Sequence, residues 1–301
     1  MGEQAFAIRQ LERSRQLRLD HLGPVHPDTL NSLHELATAY RESGRPGLAV
    51  PLHEQVLEHR KVSLGPDHSD TLMSMHELAT TYGWSGDQGK AVELLQLTLE
   101  KRKATLGPDH ADTLRTVDTL GVYAHATNIS LIQENLNKRR AKLGPDHVDT
   151  LMSMMNLAHA YRYTGQLDLA VPLYEYALEK RNVILGPDHA HTGASRGGLA
   201  SAYRETGRFD EARPLYDKVL EEIKTTFGLD HPEVLIALIK RSEFCREAGK
   251  PGLAVQYDLQ ALESYELMVE KMHTMSAPDH GAYLDRGRDR PFERPPAQIR
   301  T

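Results

Sequence analysis

Cysteine is almost absent from this 301-residue chain: Cys245 stands alone, which excludes a disulfide framework within the chain. No run of 18 apolar residues occurs, so no segment is read as membrane-spanning. The opening stretch, MGEQAFAIRQLERSRQ, lacks the apolar core of a secretory signal. Phe6 stands where a myristoylation motif needs Ser or Thr. Basic charge is also in short supply. Lys and Arg total 36 against 42 Asp and Glu, a net charge of −6, whereas a nucleic-acid binder is expected to be basic. The interleaved aromatic and basic residues of an RNA-reading array are missing too. These absences lead to the expectation of a soluble protein of a reducing compartment, most simply the cytoplasm, with no nucleic-acid or membrane partner.

What is abundant is self-similarity. A length of 301 residues suggests about two domains, but an internal repeat overrides that prior. The string Leu-Gly-Pro-Asp-His, or a near copy, recurs with its glycine at Gly23, Gly65, Gly107, Gly144, Gly186 and Gly228, in steps of 42, 42, 37, 42 and 42. The stretch HPDTLNSLHELATAYRESGRPGLAV from His26 is echoed by HPEVLIALIKRSEFCREAGKPGLAV from His231. The chain is therefore one array of about six repeats.

Each repeat carries the pattern of two helices. Leu30, Leu33, Leu36, Ala37 and Tyr40 follow helical spacing. Gly44 marks a C-terminal cap. A second helix runs through Ala49, Leu52, Val56 and Leu57, and Gly65-Pro66 ends it. Asp70 and Thr71 then suit the first turn of the next helix. The Gly-Pro-Asp-His box thus stops one helix and caps the next. Pro51, Pro172 and Pro214 fall early in the second helix, which is expected to start late or bend there.

These columns resemble the tetratricopeptide repeat, in which Leu and a small residue precede a Tyr three on and an Ala about twelve later. The matches are Leu36-Ala37, Tyr40 and Ala49; Leu78-Ala79, Tyr82 and Ala91; Leu157-Ala158, Tyr161 and Ala170; and Leu199-Ala200, Tyr203 and Ala212. The ordinary repeat has about 34 residues. The 42-residue period with its LGPDHPDTL-like linker resembles the longer variant of kinesin light chains and of bacterial arrays that often follow a Ser/Thr kinase or NTPase domain. The resemblance spans about residues 5–272. It implies an all-α fold, a right-handed α-solenoid of about six helix-turn-helix repeats, whose first helices line a concave groove.

The expected organisation is a partial repeat at 1–22, an array over 23–275 and a disordered tail at 276–301, which has too few apolar residues to pack. Residues 3–22 fit only a second helix, so the chain starts mid-repeat, as if an N-terminal neighbour had been lost or cut away. The third repeat (112–143) is five residues short, with Ala124 in the Tyr column, Gly121 in the Ala column and no turn glycine. Its helices are expected to be shorter, or its turn tighter, near Asn128. Gly193, Gly197 and Gly198 fall in the first helix of the fifth repeat, each costing roughly 1 kcal/mol against Ala. Cys245 and Arg241 occupy core columns of the sixth, as a terminal repeat facing solvent allows.

No catalytic constellation rises above the repeat pattern. The box histidines (His68, His110, His147, His189 and His231) recur one per repeat, too far apart to share one zinc ion at about 2 Å bonds, and capping or turn hydrogen bonds are their expected role. His34-Glu35 and His76-Glu77 begin a zincin motif, but Thr38 and Thr80 replace its second His. GWSGDQGKA from Gly83 fails as a P-loop, with wrong glycine spacing and Ala91 where Ser or Thr must bind magnesium. Cys245 has no thiolate-stabilising neighbours and reads as a small core residue. Asn128-Ile129-Ser130 is a chance glycosylation match. Non-enzymatic action without cofactor or metal is the expectation.

The binding candidates lie on the groove-lining helices. Arg41, Arg162, Arg204 and Arg246 share the column after the Tyr, which holds Gly83 and His125 in repeats two and three. Two turns earlier along that face stand His34, His76 and Met155, with Asn156 beside the last. Arg forks suit carboxylates and backbone carbonyls. Alternatively these arginines are solvated or locally paired, since Glu42, Glu205 and Glu247 adjoin three of them. The favoured reading is a scaffold holding a partner protein or peptide, acidic ones being the candidates, in its groove. The other is a regulatory module detached from a multidomain kinase or NTPase signalling protein. Partner identity and oligomeric state are not encoded legibly.

Overall fold

The computed structural model describes residues 2–124 and 128–274; His125 and the segment expected to be a tail, 276–301, lie outside the described residues. Thirteen α-helices and no strand occur among the described residues. α1 (Gly2–Leu22) comes first. First and second helices of successive repeats then alternate: α2 (Pro27–Glu42) and α3 (Pro46–Leu64), α4 (Ser69–Trp84) and α5 (Gln88–Thr105), α6 (Ala111–Ala124) and α7 (Ile129–Leu143). They continue as α8 (Val148–Tyr163) and α9 (Leu167–Ile184), α10 (Ala190–Glu205) and α11 (Phe209–Phe227), α12 (Pro232–Glu247) and α13 (Pro251–Thr274). The chain divides between Tyr123 and Ala124, inside the third repeat, into two compact bodies.

Within each body helices pack mainly on their sequence neighbours, so the core is a column of small layers. In the N-terminal body Leu57 of α3 meets Leu72, Met75 and Leu78 of α4. In the C-terminal body a continuous core runs from Ile132 of α7 through Met154, Leu157 and Tyr174 to Phe244 and Cys245 of α12. Arg241 is also buried there rather than facing solvent. It pairs with Asp217 at 2.7 Å, its guanidinium stacked over the rings of Phe244 and Tyr257.

The box punctuates as its residues dictate. Gly65 ends α3 with φ +93°, a left-handed conformation that a side chain resists, and its N–H caps Lys61. Pro66-Asp67 turns the chain, and His68 becomes the N-cap of α4. Its Nδ1 accepts the Asp70 N–H at 3.2 Å, satisfying one of the free donors of the first turn. The same bond forms at His26, His110, His147, His189 and His231, at 3.1–3.2 Å. Thr71 donates back to the Gly65 carbonyl at 2.8 Å. The capping role expected of these histidines is the one they have.

The prolines correct the expectation of a late start. The second helices begin at Pro46, Leu167 and Phe209, five residues before Pro51, Pro172 and Pro214, and continue through them. They do not start late. The carbonyls deprived of a donor belong to Gly47, Asp168 and Asp210, all exposed residues, where the loss of the N–H costs less than it would in a core. The third repeat does have shorter helices, 14 residues in α6 against 16 in the other first helices and 15 in α7 against 18 or more in the other second helices. Asn128 stands 21 residues after Gly107, where Gly44 follows Gly23 and Gly86 follows Gly65.

The glycines of α10 are not equivalent. A Cβ at Gly198 would lie 2.7 Å from the ring of the fully buried Tyr174, whereas one at Gly197 would meet nothing within 4 Å. Gly198→Ala is expected to destabilise by about 1–3 kcal/mol through overpacking. Gly197→Ala is expected to stabilise by up to about 1 kcal/mol, since Ala is the better helix former. Urea unfolding of the two variants checks the opposite signs.

Candidate functional site

The candidate residues fall into two groups, one in each body. In the N-terminal body His34, Arg41 and His76 come together with His53 of α3, which the sequence did not single out, and Glu77 of α4, which it raised only in an incomplete zincin motif. Arg41 pairs with Glu77 at 2.8 Å, and the His34 and His53 rings meet edge to face at 5.3 Å. His76 lies within 3.3 Å of the Thr119 hydroxyl through Nε2. Among the described residues no group hydrogen-bonds either ring nitrogen of His53, nor Nδ1 of His34 or His76. Burial holds His53 and His76 neutral, each pulled down to about 3, and lowers His34 as well. Burial alone would raise Glu77, but the charge and hydrogen bond of Arg41, with the nearby histidines, bring it below the usual carboxylate range.

In the C-terminal body Met155 and Asn156 are buried among the helices of repeats four and five, Met155 within the apolar core. The arginines of the candidate column are more open. Arg162, Arg204 and Arg246 have side chains 28%, 47% and 55% exposed, against 11% for Arg41. Arg162 bonds Glu205 at 2.5 Å, and Arg204 makes a two-pronged bond to Glu247 at 2.7 and 3.1 Å. Each partner is the Glu that follows the arginine of the next repeat, not the one adjoining in sequence. The same rule explains Arg41: the corresponding residue is Trp84, so Arg41 turns to Glu77 instead. After α12 no further repeat is present in the described residues, and Arg246 pairs with Asp258 of α13 at 2.5 Å.

A second arginine column, on the second helices, escaped the sequence reading. Arg60 reaches the Asp70 carbonyl at 3.3 Å and the Ser74 hydroxyl at 2.9 Å. Arg102 reaches the Asp112 carbonyl at 2.9 Å and Thr116 at 2.8 Å, and Arg181 reaches the His191 carbonyl at 3.0 Å and Ser195 at 2.8 Å. Arg18 makes the same contacts with Asp28 and Ser32, and Arg139 bonds the Asp149 carbonyl at 2.8 Å. These bonds tie each second helix to the following first helix. The signal was available: Arg18, Arg60, Arg102, Arg139 and Arg181 keep the steps of the box, each with Ser or Thr fourteen residues on. In the last such position Ile223 replaces the Arg and Ala237 the hydroxyl, and both pack with Val234 and Leu238.

Among the described residues no group of three or more His, Cys, Asp or Glu is placed to hold a metal ion, and no helix is long and apolar enough to cross a membrane. Stacked helix pairs with repeating ties make up each body. Comparison with known proteins agrees with that architecture. Family models of the tetratricopeptide repeat match residues 1–61, 149–221 and 192–266, and a further one matches 71–112. A crystal structure of nearly identical tetratricopeptide-like repeats from a putative kinesin light chain of Podosopora anserina is 32% identical. It covers 67% of this chain and 97% of its own, with a TM-score of 0.54. A tetratricopeptide repeat protein from Parabacteroides merdae shares the fold at 15% identity, covering 95% of this chain and 93% of its own, with a TM-score of 0.57. No curated protein matches the sequence.

The fold thus defines the class, an all-α solenoid of helix-turn-helix repeats. Within it, the chain belongs to the tetratricopeptide repeat family, and its repeats are similar to those of the kinesin-light-chain type. A scaffold for protein–protein interaction is the function that this fold generally supports.

Proposed function

We propose that this chain is a non-enzymatic scaffold that binds a segment of a partner protein along the first helices of its C-terminal body. The partner's acidic side chains engage Arg162, Arg204 and Arg246. The observation that carries this reading is the arginine row itself: three consecutive repeats present partly exposed guanidinium groups at a fixed spacing of 42 residues, each held by one accessible carboxylate. A carboxylate of the partner can replace Glu205, Glu247 or Asp258 without leaving an arginine unpaired, so exchange costs little. Each contact contributes under about 1 kcal/mol while exposed and about 1–3 kcal/mol once the partner excludes water.

The test begins with a partner isolated by pull-down and identified by mass spectrometry. Affinity is then titrated at two salt concentrations for the natural chain and for Arg162→Ala with Arg204→Ala. The double substitution is expected to weaken binding by roughly tenfold or more, with a shallower dependence on salt, because fewer exposed charges remain to be screened. It is expected to cost less than about 1 kcal/mol of stability per ion pair. Equal affinity of the two chains at both salt concentrations would reduce the row to a set of ties between repeats.

A further inference from the structure

Inside the C-terminal body, a helix pair offers one continuous face to the pair that follows: α10 packs on both α8 and α9. Met155 of α8, with Val171 and Leu178 of α9, is buried in the core there, and the three are 3%, 7% and 8% exposed. The same columns of the last pair, 84 residues on, hold Ile239 of α12 and Val255 and Leu262 of α13. These are 45%, 55% and 54% exposed. After α13 no further helix occurs among the described residues.

The centre of this face is not made for one more first helix. One column of the second helices is polar in all six earlier ones: Glu12, Glu54, Gln96, Gln133, Glu175 and Asp217. Four of these side chains accept a hydrogen bond from the tyrosine of the next first helix, as Glu175 does from Tyr203. In α13 the column holds Leu259, 62% exposed. It has no acceptor for a tyrosine, and an apolar side chain is what it fits. Spaced i, i+4 and i+7, Val255, Leu259 and Leu262 form one stripe.

A two-fold axis at Leu259 supplies that apolar side chain by setting Leu259 of a second copy against it. The two α13 helices then run antiparallel. Glu263 and Glu266, the exposed acidic residues beside the stripe, stay clear of their own copies. The two Glu263 stand about 12 Å apart along the helices, more than a screening length of about 8 Å. Each Glu266 comes level with Gly252 of the other copy, in the first turn of its α13, where free N–H groups and the helix dipole favour a carboxylate. The area also fits. Helices of 16 and 24 residues, each about 10 Å across, present roughly 600 Å² in projection. Two copies then bury about 1,200 Å², the lower end of the range for specific interfaces.

We propose that a second copy of this chain docks on the Ile239–Val255–Leu259–Leu262 face, with the two α13 helices antiparallel about a two-fold axis at Leu259.

The test is velocity sedimentation of the full chain from about 1 to about 100 micromolar, the range suited to an interface at the low end of size. The natural chain is expected to rise to twice the mass of one copy. Leu259→Glu is expected to weaken pairing by roughly 100-fold or more and to stay single throughout, with its helical content unchanged because the residue is exposed. Val183→Glu, at an exposed apolar residue of α9, should pair as the natural chain does. On oxidation Leu259→Cys should link two copies through position 259, and Val183→Cys should not. A natural chain that stays single over the whole range would overturn the proposal, as would pairing indifferent to Leu259→Glu or a failure of Leu259→Cys to link. Slow amide exchange over 255–262 in the dilute single chain, unaltered by concentration, would overturn it too and assign the face to another part of the same chain.

Discussion

Lowering the pH from 7 to 5 is expected to cost the N-terminal body about 4 kcal/mol of stability, about 2 from each of two histidines. His53 and His76 are buried and held neutral, with folded-state values of about 3 against an ordinary 6.5. The unfolded chain therefore takes up protons below pH 6.5 that the folded body refuses. Stability is complete above that point and is lost as the pH falls toward 3. The charges facing these rings do not rescue them: Glu77 favours protonation, but Arg41, Arg60 and His34 oppose it at His53, and Arg41, Arg102 and Arg115 at His76. Urea unfolding followed through Trp84, the single tryptophan and part of α4, reads this body directly. The array itself supplies the control substitutions. Leu95 occupies the column of His53, and Met155 that of His76, so His53→Leu and His76→Met should each remove about half of the acid sensitivity. An unfolding midpoint that is the same at pH 7 and pH 5 would show that the rings are solvated.

Replacing Arg102 with Ala is expected to cost about 3 kcal/mol or more. The side chain is among the largest fully buried ones, and its guanidinium bonds the Asp112 carbonyl and Thr116 across the step from α5 to α6. Removal leaves both a void and a hydroxyl without its donor. The natural exchange at Ile223 and Ala237 shows how the loss is offset: both partners become apolar together. Arg102→Ile with Thr116→Ala should therefore recover part of the loss seen with Arg102→Ile alone, since an apolar pair avoids the penalty of a half-satisfied one. Thermal or urea denaturation of the three variants measures this, and a loss below about 1 kcal/mol for Arg102→Ala would mean that the tie is dispensable.

Period, box and helix pairs were legible because each rests on a local rule: a left-handed glycine, a capping side chain, an apolar spacing of 3.6. The late start expected at Pro51, Pro172 and Pro214 did not follow, because a helix was judged by its sequence alone, whereas the residues whose carbonyls lose a donor are exposed. The arginine row was legible as a row, but not its partners. Sequence adjacency suggested Glu42, while the fold places Glu77 beside Arg41 because Trp84 stands where a glutamate would serve. His53 gave no signal at all: its column holds Leu11, Leu95, Ile132, Tyr174, Tyr216 and Asp258 in the other repeats, and only packing reveals that its nitrogens are stranded. The inner arginine column was visible in principle, through its own 42-residue steps and the Ser or Thr fourteen residues on.

Because the inner arginines all reach forward to a carbonyl ten residues on, the repeats are interchangeable parts. Excising 148–189 would join His147 to Ala190, so that the box of one repeat would lead into the first helix of the next. Arg139 would then face the His191 carbonyl as Arg181 now does, with Ser195 four residues further on. Recombination between boxes can thus shorten or lengthen such a chain by whole repeats and leave each seam chemically complete. The 37-residue third repeat obeys the same rule, because Arg102 and Arg139 both keep the ten-residue reach to the first helix that follows.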